Sequence, residues 1–215
     1  MPRPVLLTER IELRPMTTDH VPLLHQLDSD PEVMRYLLGR ARTPEEIDAF
    51  WAPRCADTAG EDFDLGWWVG FLDGAFLGWW DLGRSDSVPS SLARPHEAEI
   101  GWRVVRRYWR RGLATEGASA LLGHAFEAVG LQRVWAETMA VNTPSRAVMQ
   151  KLGMRHLRTE VRHWDEPLPG SDHGEVIYEI TASEWSTARG RWAGRIDGGA
   201  PWHGCTWRTQ RGRQR

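Results

Sequence analysis

Apolar residues recur along this chain with two periods, and the two periods alternate. Ile11 and Leu13 alternate with polar positions in ERIELRPM and predict an opening strand. Behind the cap residues of TTDH, Val21, Leu24 and Leu27 fall at helical spacing. TPEEIDAFW predicts a second helix start. Thr43 and Glu46 have capping-box spacing there, and Pro44 takes the first helical position. Two aromatic-rich runs flank Asp73-Gly74 and predict a hairpin. SDSVPSSLARP reads as a loop, and HEAEIGWRVV alternates again as a strand. From Leu113 onward Ala118, Leu121, Leu122, Ala125, Phe126 and Val129 mark a helix. RVWAETMAV predicts another strand. NTPSRAVMQKLG predicts a short helix with Asn142 or Thr143 as cap and Gly153 at its end. MRHLRTEVRHW and GEVIYEIT predict a closing strand pair. Alternating strands and helices give an α/β or α+β class with a mixed sheet.

Periodicity stops after about residue 185, where Gly, Arg and Trp dominate. Residues 186–215 are therefore expected to be a mostly irregular tail on a domain of residues 1–185. A hydrophobic content of 41% in 215 residues suits one such domain. The net charge of −2 gives the whole chain no reason to seek nucleic acid or membrane. Arg189, Arg191, Arg195, Arg208, Arg211, Arg213 and Arg215, set among Trp, keep nucleic-acid binding open for the tail alone. Lys151 is the one lysine, a bias that fits a GC-rich genome. Cys55 and Cys205 match no ligand spacing, so a reduced, cytoplasmic setting is expected. No run of about 18 apolar residues occurs, and MPRPVLLTER has no stretch of signal-peptide type. The eight histidines form no H-x-H or H-E-x-x-H cluster, so no metal site is expected.

The stretch YWRRGLATEG, 108–117, carries the candidate chemistry. It lies between a strand and a helix, so the helix's first amides lack internal partners and sit at the positive end of its dipole. Gly112 lets an anion approach the backbone, and Ala114 keeps a later position small. Arg106, Arg107, Arg110 and Arg111 add full charges. The result is a seat for phosphate or pyrophosphate, with an ordinary turn bearing solvated arginines as the plain alternative. Neither G-x-x-x-x-G-K-[ST] nor G-x-G-x-x-G is present.

EIGWRV (99–104) and WRRGLATE (109–116) resemble the acyl-CoA-binding strand and turn of the GNAT superfamily of N-acetyltransferases, most closely its RimJ/RimL type. Trp109 stands where the wider superfamily has Gln or Arg, a departure this branch shares. VNTPSRAVMQKLGM (141–154) is similar to the family's Asn-x-x-Ser segment ending in Lys-Leu-Gly-aromatic, with Met154 for the usual Phe. The opening strand is also similar to the branch's own. The resemblance implies a GNAT-like mixed, mostly antiparallel twisted sheet with helices on both faces. It implies direct acetyl transfer from acetyl-CoA to a primary amine in a ternary complex. The pyrophosphate would rest on the turn of Arg110, Arg111, Gly112, Ala114 and Thr115. The pantetheine arm would lie along Trp102 and Val104, with Asn142 at its far end.

Glu99 is the candidate base, with Glu97 and Glu137 as alternatives; a surface or paired carboxylate is the plain reading of each. Many relatives place a proton-donating tyrosine where this chain has Met149. The resemblance therefore offers Ser145 as the donor to the departing thiolate, against a simple helix-cap role. The branch points to a protein N-terminus as acceptor. A small-molecule amine, antibiotic or metabolite, is the alternative, and so is a non-catalytic acyl-CoA-binding regulatory module. At pH 7.4 freeing a lysine amine costs about 4 kcal/mol and an α-amine well under about 1 kcal/mol, which leans the acceptor toward a low-pKa amine. In the hairpin one of Trp67 and Trp68, and one of Trp79 and Trp80, should face the core. The others pack as core too, line a substrate cleft, or form a dimer face.

Overall fold

Adjacent tryptophans on paired strands set the layers of this fold. The computed structural model describes residues 3–56, 64–83 and 96–193. Strands β3 (Gly66–Leu72) and β4 (Ala75–Gly83) form the expected hairpin, turning at Asp73 (φ 50°) and Gly74 (φ 77°). Both central residues are left-handed, as a two-residue turn that matches strand twist requires. Trp68 stands opposite Trp80, and both are fully buried on one face of the sheet. Trp67 and Trp79 point to the other face, where Trp51 meets them edge-on at ring-centroid distances of 5.2 and 5.6 Å. Trp68, Trp79 and Trp80 are thus buried, and Trp67 packs partly buried against the hydrophobic cluster on that second face.

Around the hairpin lie β1 (Leu6–Leu7), β2 (Ile11–Pro15), β5 (Glu97–Val104), β6 (Arg133–Met139), β7 (Arg155–Glu160) and β8 (Glu175–Thr181). The sheet has eight strands in the order β1-β2-β3-β4-β5-β6-β8-β7. Among the described residues only β5 and β6 pair in parallel; the other neighbours are antiparallel. Helices α1 (Val21–Asp28) and α2 (Pro44–Ala56) cover the face of Trp79 through Leu24, Leu27, Ile47 and Trp51. Helices α3 (Leu113–Gly123), α4 (Thr143–Lys151) and α5 (Ala182–Ala193) cover the face of Trp80 through Leu121, Met149 and Trp185. The capping box at α2 is formed as its spacing predicts. Thr43 N donates to Glu46 Oε2 (2.9 Å), and Glu46 N donates to Thr43 Oγ1 (3.3 Å).

Three features depart from the sequence reading. The short β1 is an additional strand. The helix from Leu113 widens into a π-helical segment at His124–Val129 before Gly130 (φ 76°) ends it. The chain past residue 185 stays helical to Ala193 instead of turning irregular. A second capping box starts that helix: Thr181 N donates to Glu184 Oε2 (2.8 Å) and Glu184 N to Thr181 Oγ1 (3.3 Å). Trp185 then anchors it in the core. The loop SDSVPSSLARP, and the tail arginines from Arg195 on, lie outside the described residues. No helix among the described residues is long and apolar enough to cross a membrane.

Candidate active site

The parallel pair β5–β6 holds together over three rungs only: Glu97 with Arg133, Ala98 with Val134, Glu99 with Trp135. Each strand then follows its other neighbour. Strand β5 stays on β4 to the rung Val104–Gly78, and β6 stays on β8 along its whole length. The sheet splits between the carboxyl ends of two parallel strands, the position where ligand crevices form in such sheets. Val105 N donates to Leu77 O (2.9 Å), across to β4. Since backbone direction alternates along a strand, Val104 and Trp102 turn their N–H and C=O groups, and Ile100 its C=O, into the split.

One side of the split's mouth is the arginine-rich turn. Arg110 (φ 60°) and Gly112 (φ 78°) are both left-handed, and Gly112 is the N-cap of α3. A side chain at Gly112 would meet only Arg10 Nη2, at 3.8 Å, so the backbone conformation, more than crowding, calls for glycine. Glu116 N donates to Gly112 O (3.0 Å), closing the first turn and leaving the amides before it without intrahelical partners. Arg106, Arg107, Arg110 and Arg111 are exposed, and among the described residues none of them pairs with a carboxylate. Arg107 and Arg111 lie over the Tyr108 ring at 4.7 and 5.5 Å. Ala114 O accepts from Trp80 Nε1 (3.2 Å), which fixes the turn to the core.

Glu116, from the Thr-Glu of the sequence motif, is buried. It accepts from Arg10 Nε (2.7 Å), Arg10 N (3.0 Å) and Thr8 Oγ1 (2.6 Å). Arg10 Nη1 in turn reaches Arg111 O (3.4 Å). The turn between β1 and β2 therefore braces the turn at Gly112, across a separation no local sequence pattern carries. Trp109 donates its indole N–H to Val104 O at 2.6 Å, so Val104 offers the split its amide alone.

The other side of the mouth is the start of α4. Asn142 Oδ1 accepts from Ser145 N (3.3 Å), and Asn142 Nδ2 donates to Thr138 Oγ1 (2.9 Å). Asn142 is thus the helix cap, which removes that role from Ser145 and leaves Asn142 one amide hydrogen for a ligand. The Ser145 hydroxyl has no hydrogen-bond partner among the described residues and is only partly buried. Met149 is sealed in the core.

The three candidate carboxylates separate by position. Glu99 occupies the last paired rung, where the split begins, and is partly buried. Glu97 pairs with Arg133 at 3.0 Å. Glu137 holds Arg162 through both oxygens, at 2.5 and 2.9 Å, and this contact raises the Arg162 pKa. Asp28, fully buried at the end of α1, accepts from Trp51 Nε1 (2.8 Å) and from Arg103 of β5, with Arg42 Nε 3.5 Å away. Burial pushes the Arg103 pKa down while Asp28 pulls it up. This cluster locks α1, α2 and the segment between them onto β5. Its members lie far apart in sequence and carry no motif.

The acetyltransferase (GNAT) domain model matches residues 10–155. Over 201 residues the chain is 40% identical to FsC-acetyl coenzyme A-N(2)-transacetylase of Aspergillus fumigatus, covering 88% of this chain and 84% of that protein. Its fold is similar to a GNAT-family acetyltransferase from Bacillus anthracis (TM-score 0.66, 24% identity, 84% and 99% of the two chains). It is similar also to RimL, a ribosomal alpha-N-protein acetyltransferase, in complex with coenzyme A (TM-score 0.67, 17% identity, 83% and 98%).

Proposed function

The chain belongs to the GNAT acetyltransferase family and is an acetyl-CoA-dependent N-acetyltransferase, and from that premise we propose that its acceptor is the amine of a small molecule. The observation that carries this reading is the 40% identity, over most of both chains, to a protein named for transfer to an N(2) nitrogen. The proton energetics agree with it. A low-pKa amine asks least of whichever carboxylate takes its proton.

Acetyl-CoA supplies the acetyl group as a thioester, and the residues around the split fit its parts. Amides of Arg110, Arg111, Gly112, Ala114 and Thr115 take the pyrophosphate, within the field of four unpaired guanidinium groups. The backbone of Trp102 and the amide of Val104 hold the arm as an added strand would be held. The spare amide hydrogen of Asn142 steadies its far end. Glu99 accepts the proton that the acceptor must lose, directly or through one water. Ser145 donates its hydroxyl hydrogen to the departing sulfur. Alignment supplies most of the acceleration, since well-positioned groups reach effective molarities of about 10⁵–10⁸ M.

A second reading, transfer to a protein N-terminus, rests on the RimJ/RimL-like motifs EIGW and WRRGLATE. A free-thiol release assay over small amines and N-terminal peptides separates the two. Small amines are expected to give at least about tenfold higher kcat/KM, a difference of about 1.4 kcal/mol. A peptide preference of that size would reverse the assignment.

A further inference from the structure

Trp109 is exposed, yet its indole N–H is committed to Val104 O at 2.6 Å. That carbonyl is the last of those β5 turns into the split, because Val105 is already bound across to Leu77. The free edge of β5 therefore offers an acceptor at Ile100, a donor and an acceptor at Trp102, and a donor alone at Val104. A polypeptide strand laid on this edge would need the Val104 carbonyl to continue its ladder. A short arm with two amides does not. The same contact joins the first residue of the arginine-rich turn to the strand's end, so it sets the spacing between anion seat and edge.

Resting on the acetyl-CoA reading above, we propose that Trp109 is a positioning residue: by ending the β5 edge it fixes the register in which the pantetheine arm lies there. Register matters because hydrogen-bonding positions on a strand edge recur every two residues. One slipped step moves the arm by about 7 Å. Reaction needs the amine and the thioester carbon about 3–3.5 Å apart, so a slipped arm places the thioester out of reach beside Glu99. Neither the family match nor any named relative assigns this role to Trp109.

The test uses calorimetric binding of two probes to the full chain and to Trp109→Phe, which keeps an aromatic ring and removes the N–H. Coenzyme A carries the arm; adenosine 3′-phosphate 5′-diphosphate carries the phosphates without it. The expected result is a Kd for coenzyme A raised about fivefold, the worth of one neutral hydrogen bond, with the nucleotide probe unchanged. Unchanged nucleotide binding also certifies that the variant is folded. Equal loss for both probes would place Trp109 in the anion seat instead and overturn the register role, as would no loss for either. A wild-type chain that binds neither probe would overturn the acetyl-CoA reading itself, an outcome distinct from a silent Trp109→Phe.

Discussion

Glu99 and Ser145 face different proton problems, and their variants should fail in different ways. Removing a base leaves the reaction dependent on the acceptor's own deprotonation. Glu99→Gln should therefore show a rate deficit in kcat/KM that shrinks as pH rises from 6 toward 10. A deficit equal at every pH would mean that Glu99 orients the acceptor. Ser145→Ala should lower kcat by about 10²-fold or more with little change in KM for acetyl-CoA, the range for lost general-acid help. Because Asn142 is the cap, Ser145→Ala should leave the melting temperature nearly unchanged. Asn142→Ala should lower stability by about 1 kcal/mol. At Gly112 the left-handed backbone carries the argument. Gly112→Val forces a β-branched residue into that conformation, turns the amides away, and should weaken coenzyme A binding at least about tenfold by calorimetry. The proposed amide seat is the part of the site most open to a sequence reading, since Trp109 to Glu116 is one continuous segment. The brace beneath it is not, because Glu116 meets Thr8 and Arg10 more than a hundred residues away.

Elements with strong local signals read correctly from the chain. Asp73-Gly74 marks its turn, Thr43 and Glu46 cap α2, and Leu113 to Leu122 keep helical period. The helix α5 carries the same Thr-x-x-Glu spacing at Thr181 and Glu184, but the Gly, Arg and Trp content that follows obscures it. The π-helical turn at His124 keeps the apolar spacing of an α-helix closely enough that periodicity does not distinguish it. How closely α3 approaches the sheet is set by a residue with no pattern at all. A Cβ on Gly117 would lie 2.5 Å from the Trp80 indole, itself fully buried and bound to Ala114 O. Helix propensity alone favours Gly117→Ala by about 1 kcal/mol. Overpacking a tight core costs about 1–3 kcal/mol and should win, because the Trp80 ring has nowhere to retreat. Denaturant unfolding should show a net loss of stability; a gain would mean that the ring gives way easily.

At the scale of the whole molecule, strand order and the β5–β6 split were beyond the sequence, because both depend on which distant strands each one follows. The charge state of the folded chain likewise depends on burial that no pattern reveals. His124 is 1% exposed and hydrogen-bonded through Nε2 to Asp64 O (2.8 Å), joining the π-helical turn to the segment before β3. Burial lowers its pKa below the ordinary value, against a smaller opposing effect of the Asp64 carbonyl. Above pH about 6.5 the imidazole is neutral in both folded and unfolded chains and pH does not matter. Below it the unfolded chain binds a proton that the folded chain refuses until its own lower pKa is reached. Stability should therefore fall as pH drops through that window, by no more than about 1.4 kcal/mol per pH unit for one proton. His20, lowered by burial too, adds in the same direction. Glu175 acts oppositely: burial and Glu137 raise its pKa, so its stabilising effect is present below about 4.5 and is lost as pH rises. The cleanest readout is the difference between wild type and His124→Gln in urea unfolding from pH 5 to 8. Gln keeps a side-chain N–H for Asp64 O and cannot titrate. The stability gap between the two proteins should stay constant above pH 7 and move in favour of His124→Gln as the solution becomes more acidic. A gap that holds constant down to pH 5 would assign the acid sensitivity to His20 or to another group.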